Sequence, residues 1–192
     1  ERLEQRYGLA RKHTAIVYNG PPRDFAPRPD AALAARYRDR RVLLYVGEMA
    51  PMDGVGQLLD ILQDLVKEKG CRHCLLILLG DGPERPALER IVTRQNLSEH
   101  VVFTGMVSHE VVMQYLDLAE VCLVPDAPNG LNEYLTLIKC LEYMKAAKPF
   151  VAFDLKETRR IAEGCALFAE NRSAYTRCIE SLLQDGEKAA AL

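Results

Sequence analysis

Cys74-Leu75-Leu76-Ile77-Leu78-Leu79 is an unbroken run of six apolar residues, stopped by Gly80-Asp81-Gly82-Pro83. A run this short cannot cross a bilayer, which takes roughly 20 residues. A strand with one wet face would alternate polar and apolar positions, so the continuous run predicts a strand buried on both faces. The same unit recurs. Arg41 to Val46 closes at Gly47, Val101-Val102-Phe103 at Thr104-Gly105, and Val121 to Val124 at Pro125; Phe150 to Phe153 is a fifth run and Ala166 to Phe168 a sixth. Between the runs apolar residues fall at helical spacing: Leu58, Leu59, Ile61, Leu62, Leu65 and Val66, then residues 87–94, 109–118, 136–145 and 173–183. Doubly buried strands alternating with helices predict an α/β domain, a doubly wound parallel sheet of Rossmann-like type with helices on both faces.

The 192 residues suffice for one such core and are too few for two large ones. Lys and Arg number 25 against 27 Asp and Glu, a net charge of -2, which excludes a polybasic footprint for nucleic acid or anionic lipid; an anionic ligand must be held locally. Neither GxGxxG nor GxxxxGK[ST] follows any predicted strand, which argues against a dinucleotide oxidoreductase and a P-loop enzyme. Most of the six cysteines lie in apolar stretches, where a thiol packs as a small hydrophobe, and together they read as thiols of a reducing cytosol. Cys71-Arg72-His73-Cys74 has redox or zinc half-site spacing, but no second pair accompanies it and Cys74 opens a strand.

The first 40 residues read differently. Residues 2–6 resemble the tail of a helix and 15–17 a short strand; Asn19-Gly20-Pro21-Pro22 with Pro27 and Pro29 is linker chemistry, and residues 31–38 form a short polar helix. The expected division is therefore 1–40 as linker and remnant of a preceding lobe, and 41–192 as the ligand-binding domain. Ligands of such sheets bind beyond the carboxyl ends of the strands, so the loops opening at Gly47, Gly80, Thr104 and Pro125 should converge on one rim. A helix starting near Thr136 would aim free N–H groups and a positive dipole end at that rim, an anion site suited to a diphosphate. Lys139 would lie in its first turn, and Glu142 further in, placed to accept from a ribose diol. The same residues also fit a plain Thr136 N-cap with solvated Lys139 and Glu142.

Tyr45-Val46-Gly47, Gly54-Val55, Leu79-Gly80-Asp81-Gly82-Pro83, Phe103-Thr104-Gly105 and, above all, Lys139-Cys140-Leu141-Glu142-Tyr143-Met144 through Lys148-Pro149-Phe150-Val151-Ala152-Phe153-Asp154 carry a resemblance. Over about residues 19–169 the chain resembles the donor-binding half of family 4 (group 1) retaining glycosyltransferases. The resemblance implies the single C-terminal lobe of a GT-B fold, holding a nucleotide-sugar, with a preceding acceptor lobe. It implies the nucleobase against Gly105, Met106 and Val107, the ribose on Glu142, and the diphosphate on the loop after Gly47 and the helix start near Thr136. Lys139 and Glu142 are then the expected catalytic residues. Gly47, Met49, Asp53, Gly54, Gly80, Asp81, Gly82, Asp126, Asn129, Asn132, Glu133 and Thr136 complete the expected donor site.

The chain departs from the family pattern at two basic positions. The Arg expected after the first-strand glycine and the Lys before the next glycine are Glu48 and Asp53 here. Of the usual glutamate pair eight residues apart only Glu142 is cleanly present, since Tyr134 holds the first position and Glu133 is one residue off. Reversing charge beside a dianion costs several kcal/mol in a poorly solvated cleft, so other cations must compensate. Lys139, the helix dipole and an Arg of the preceding lobe are the candidates. A divalent ion such as magnesium, between Asp53, Asp126 or Glu133 and the phosphates, is a weaker alternative, and no cofactor is required. Met49, Met52 and Met106 fall on rim loops, to line a pocket or to fill beneath one; His73, His100 and His109 are expected to be solvated.

The expected activity is sugar transfer to a hydroxyl acceptor with retention, in the setting of polysaccharide biosynthesis. The location expected is cytoplasmic, with any membrane contact made through the preceding lobe and none with nucleic acid. The isolated chain is expected to show little or no transfer; efficient turnover by it would sink that reading. A relative that has lost donor binding, a nucleotide-sugar epimerase of related fold and a plain interaction module are the rival readings.

Overall fold

The computed structural model describes residues 6–8, 15 and 19–192. All but residue 15 of the strand expected at 15–17, and all but residue 6 of the helix tail expected at 2–6, lie outside the described residues. Six strands, β1 (Arg41–Val46), β2 (Cys74–Leu79), β3 (Val101–Gly105), β4 (Val121–Val124), β5 (Phe150–Phe153) and β6 (Ala166–Ala169), form one parallel sheet in the order β3-β2-β1-β4-β5-β6. The helices are α1 (Ala31–Tyr37), α2 (Val55–Gln63), α3 (Arg85–Arg94), α4 (His109–Leu118), α5 (Ile138–Lys145), α6 (Lys156–Ala162), α7 (Arg172–Gln184) and α8 (Gly186–Ala190). No helix among the described residues is long and apolar enough to cross a membrane.

Successive residues of each strand feed opposite faces, and both faces are core. Leu43, Tyr45, Leu76, Leu78 and Leu123 pack with α2, α3 and α7 on one side; Leu44, Ile77, Leu79, Cys122 and Val124 pack with α4 and α5 on the other. That is why the strands read as continuous apolar runs rather than alternating ones. Phe25 and Tyr37, ahead of β1, are buried in the second face as well.

Three elements differ from the sequence expectation for identifiable reasons. Helix α3 begins at Arg85 because Pro86, in the first turn, has no N–H that the helix needs there. Helix α5 begins at Ile138, two residues later than expected. Leu137 is extended with φ -76° and ψ 116° and supplies no side-chain cap, while the Thr136 hydroxyl donates to Glu157 Oε1 at 2.8 Å instead of capping. Helix α6 has a charged sequence with little apolar signal; it buries Thr158 and Ala162, the latter in the second-face core, and packs against the short Asn132–Tyr134 helical turn.

The chain leaves β1 toward β2 and β3, then returns past β1 to β4. Adjacent connections thus run opposite ways, and β1 pairs with β4 only through Leu43 with Val121 and Leu44 with Cys122. Beyond those pairs the two strands part. The Val46 N–H donates to the Tyr143 hydroxyl at 3.0 Å, and that hydroxyl faces the Leu123 carbonyl at 3.4 Å. One strand over, the Tyr175 hydroxyl accepts from Val124 N and donates to Val151 O at 2.7 Å. Burial drives both phenols well above their ordinary pKa, so they remain neutral donors. Replacing Tyr143 with Phe keeps the ring volume but orphans the Val46 N–H at the parting. The expected loss is about 2 kcal/mol in denaturant unfolding, with an unchanged m-value.

Candidate functional site

The carboxyl ends of β1, β2 and β3 deliver their loops to one rim, and glycines allow them to touch. At Gly80, with φ +128°, a Cβ would lie 2.0 Å from the Gly47 carbonyl oxygen; at Gly82 one would meet Met49 backbone at 2.6 Å. The contact is knitted by Gly47 N to Leu79 O, Met49 N to Asp81 O and Glu84 N to Met49 O. Asp81 orders the turn: Oδ1 accepts from Gly82 N at 2.8 Å and Oδ2 from Arg85 at 3.0 Å. The backbone bond from Gly82, ahead of Arg85, holds its carboxyl below the usual range.

Above this junction is a cavity of about 540 Å³, lined among others by Gly47, Glu48, Asp81, Met106, Val107 and Val112. Its walls are mainly apolar and its charged lining residues are acidic. Met106 is 79% exposed at its lip. Met49 is fully buried in the core, so its side chain fills beneath the loop and does not line the rim. Gly105, with φ +72°, stands beside Arg85, which also lies 5.7 Å from the centre of the Phe103 ring. Arg85 and Val112 were not singled out from sequence; the Gly-Asp-Gly-Pro-Glu-Arg order at a helix start is the signal that marks Arg85.

Where β1 and β4 part, the residues from the two sides meet. Lys139, second residue of α5, places Nζ 2.9 Å from Asp126 Oδ2 and 3.7 Å from Asp53 Oδ1, and 4.9 Å from the centre of the Tyr45 ring. The side chains are 11%, 4% and 18% exposed for Lys139, Asp126 and Asp53. Asp53 reaches this point because its other oxygen accepts from Ala50 N at 3.1 Å across the Pro51–Asp53 helical turn. Gly54, at φ +69°, follows directly and packs against the Pro125 carbonyl, where a Cβ would come to 2.4 Å. The Asp126 carboxyl is raised by burial, which Lys139 opposes and Asp53 reinforces. The reversed charge at position 53 is therefore met by Lys139 from across the parting.

Asn132 ties the two sides together: its buried amide donates to Met52 O at 3.2 Å and Ala127 O at 3.0 Å. Asn129 caps the turn beneath it, Oδ1 accepting from Leu131 N and Asn132 N. Glu133 is turned away and accepts from Lys156 N at the start of α6. It does not join Asp53 and Asp126, and among the described residues no group of three His, Cys, Asp or Glu is placed to hold a metal ion. Thr136 likewise faces α6. Glu142 lies nearly one turn beyond Lys139, half-buried, its pKa raised by burial against the opposing influence of His109. Its carbonyl accepts from Ala146 N at 2.9 Å, while its carboxylate has no hydrogen-bond partner among the described residues. His109 packs its ring on Phe25 at 5.7 Å.

The family-wide pattern of the glycosyl transferases group 1 family matches residues 40–185, and the chain belongs to that family. It is 31% identical over 163 residues to an alpha-D-kanosaminyltransferase of Streptomyces kanamyceticus, covering 82% of this chain and 40% of that protein. It is 27% identical over 184 residues to a GDP-mannose-dependent phosphatidylinositol monomannoside mannosyltransferase of Mycolicibacterium smegmatis, covering 88% and 46% respectively. The chain thus spans less than half the length of these relatives. Among solved structures its fold is similar to WaaG, a glycosyltransferase of lipopolysaccharide biosynthesis, with TM-score 0.77, 19% identity, and 98% of this chain and 52% of that one covered. It is also similar to HepE of Anabaena in complex with UDP, with TM-score 0.75, 19% identity, and coverage of 96% and 51%. The fold is the Rossmann-like lobe of GT-B glycosyltransferases.

Replacing Lys139 with Met would leave Asp126 buried without a counter-charge. The expected destabilisation is about 3 kcal/mol near neutral pH. A carboxyl whose folded pKa is raised favours the folded state more as it protonates, so the deficit should shrink as pH falls from about 7 to about 5. Adding Asp126→Asn should recover most of it at all pH values; unfolding curves of the three proteins at the two pH values check both points.

Proposed function

We propose that the chain is the donor-binding lobe of a retaining glycosyltransferase that uses a nucleotide diphosphate sugar. The observation that carries this reading is an apolar cavity lined by Gly47, at which a Cβ would lie 3.6 Å from the largely buried Lys139 side chain, in a chain of the group 1 family. Residues 41–192 form this lobe, residues 1–40 are linker and remnant of an acceptor-binding lobe, and the reaction draws on a cytoplasmic donor pool. Similar proteins support a nucleotide-linked donor: one is GDP-mannose-dependent, and HepE was solved with UDP-glucose.

In this reading the base rests on Met106 and Val107, where apolar walls suit a planar ring. Glu142, desolvated and without a hydrogen-bond donor, accepts from the ribose diol. The diphosphate lies beside the Gly47 backbone, with the start of α5 and Lys139 opposite. As the glycosidic C–O bond breaks, its electron pair goes to the diphosphate, and a positioned ammonium stabilises that developing charge. Gly47, Gly54, Gly80 and Gly82 let backbone approach where side chains would block; Asp53, Asp126 and Asn132 position Lys139 and the two loops.

The arrangement that neutralises Lys139 also favours a second reading, a lobe that no longer binds a donor. Calorimetric titration of the chain with UDP, GDP and ADP, with and without magnesium, separates the two. Saturable binding of one nucleotide is expected, weakened at least about tenfold, or 1.4 kcal/mol, by Glu142→Ala. Removing a competing carboxylate with Asp53→Asn should tighten it about threefold to tenfold. No binding of any nucleotide by the chain or by Asp53→Asn would sink the donor reading in favour of the second.

A further inference from the structure

The opposite pole of the sheet carries a feature that the donor site leaves unused. Cys71 and Cys74, which read from sequence as thiols of a reducing compartment, are joined in a disulfide with Cα atoms 5.5 Å apart. Cys74 is buried at the first position of β2, while Cys71 is half-buried and lines a separate cavity of about 460 Å³. Arg38, Arg40, Arg41, Arg72 and His73 line it too, against only two carboxylates, Asp39 and Glu120. Arg41 pairs with Glu120 at 2.7 Å and Arg38 with Asp39 at 3.4 Å, which leaves a cationic excess beside Cys71.

The bond has little structural work to do. A ring closed across two intervening residues restricts the unfolded chain far less than a long loop would. The segment is also held without it: Cys71 N donates to Leu65 O at 2.9 Å, Arg41 N to His73 O at 2.8 Å and Arg40 Nη2 to Cys74 O at 3.2 Å, while His100 Nδ1 is 2.9 Å from the same carbonyl. An accessible sulfur bonded to a buried one, in a basic pocket, is the arrangement in which a thiolate reaches one chosen sulfur of a disulfide.

We propose that Cys71 and Cys74 form a thiol–disulfide exchange site whose cavity admits a small thiol bearing carboxylates. The incoming thiolate bonds to Cys71 Sγ as the S–S bond breaks, and the electron pair departs on Cys74 Sγ, which takes a proton from water. A second molecule of the same thiol attacks the reagent sulfur of the mixed disulfide, forms the small-molecule disulfide and leaves Cys71 as a thiolate. Two thiols supply the two electrons; the reverse sequence restores the bond. The arginines attract the carboxylates of the reagent and stabilise the Cys71 thiolate.

The test uses the folded chain in glutathione buffers of graded reduced-to-oxidised ratio, quenched in acid, denatured, alkylated and weighed. Free thiols should rise reversibly from four to six, with the circular dichroism unchanged. In Cys74→Ser, oxidised glutathione should add one equivalent, mapped to Cys71. Arg72→Glu, an exposed change, should slow reduction by glutathione about fivefold more than reduction by 2-mercaptoethanol, which carries no carboxylate. A disulfide that opens only on denaturation, an adduct mapped to Cys165 or Cys178, or equal effects of Arg72→Glu on both reagents would overturn the proposal.

Discussion

The parting of β1 from β4 is the constraint around which the molecule is arranged. Parallel strands whose connections run in opposite directions cannot keep both loops on the seam, so the ladder stops after two residue pairs and a crevice opens at the carboxyl ends. The opening leaves backbone groups without strand partners inside an apolar core, a cost that buried tyrosine hydroxyls offset. Tyr143 spans β1 and β4, Tyr175 spans β4 and β5, and Tyr45 donates to Glu48 O at 2.5 Å where β1 runs into its loop. Each ring fills core volume while its hydroxyl serves a backbone group, and Tyr143 bridges the β1–β4 ladder where it parts.

Once the crevice exists, its charge balance is set across it rather than along either loop. Asp53 comes from the β1 side, Asp126 and Lys139 from the β4 side, and the one ammonium is shared at 2.9 and 3.7 Å. A fully buried pair is weak evidence of stability, because desolvation opposes the attraction. Its effect here is positional: Lys139 is held over Tyr45 in one orientation, near the Gly47 backbone. Under the proposed function, the cation that the family pattern places on the β1 loop has been exchanged for one carried by α5, and the acid at position 53 is its partner. The reversal at 53 is then a change in which side supplies the positive charge.

What was legible in the sequence follows from what is local. The runs at 41–46, 74–79, 121–124 and 150–153 and the helix at 109–118 match their elements residue for residue, since burial on both faces and helical spacing are one-dimensional patterns. Helix α6 escaped because its stability lies in contacts with a turn more than 20 residues away. The start of α5 escaped because Thr136 finds Glu157, and not the backbone ahead of it. Lys139 was visible as a first-turn cation, but its partners could be known only once the strand order brought position 53 beside position 126. The Cys71–Cys74 spacing was visible too, with Arg72 inside it, whereas Arg38, Arg40 and Arg41, which gather beside it, come from the end of the segment before β1 and its first residue.

The two poles of the sheet therefore carry opposite electrostatics by construction. At the carboxyl ends, glycine-rich turns bring backbone to backbone, and the charged side chains of the cavity lining are the acids Glu48 and Asp81. At the amino ends, the connections into β1 and β2 bring Arg38, Arg40, Arg41 and Arg72 together. A net charge of -2 over the whole chain conceals both. Fields of this kind fall off within roughly 8 Å at physiological ionic strength, and six residues of β2 at about 3.3 Å each separate the poles by more than twice that distance. Under the proposed function an anion at the rim is met by Lys139 and backbone N–H groups, and the basic pole, this far away, offers it no help.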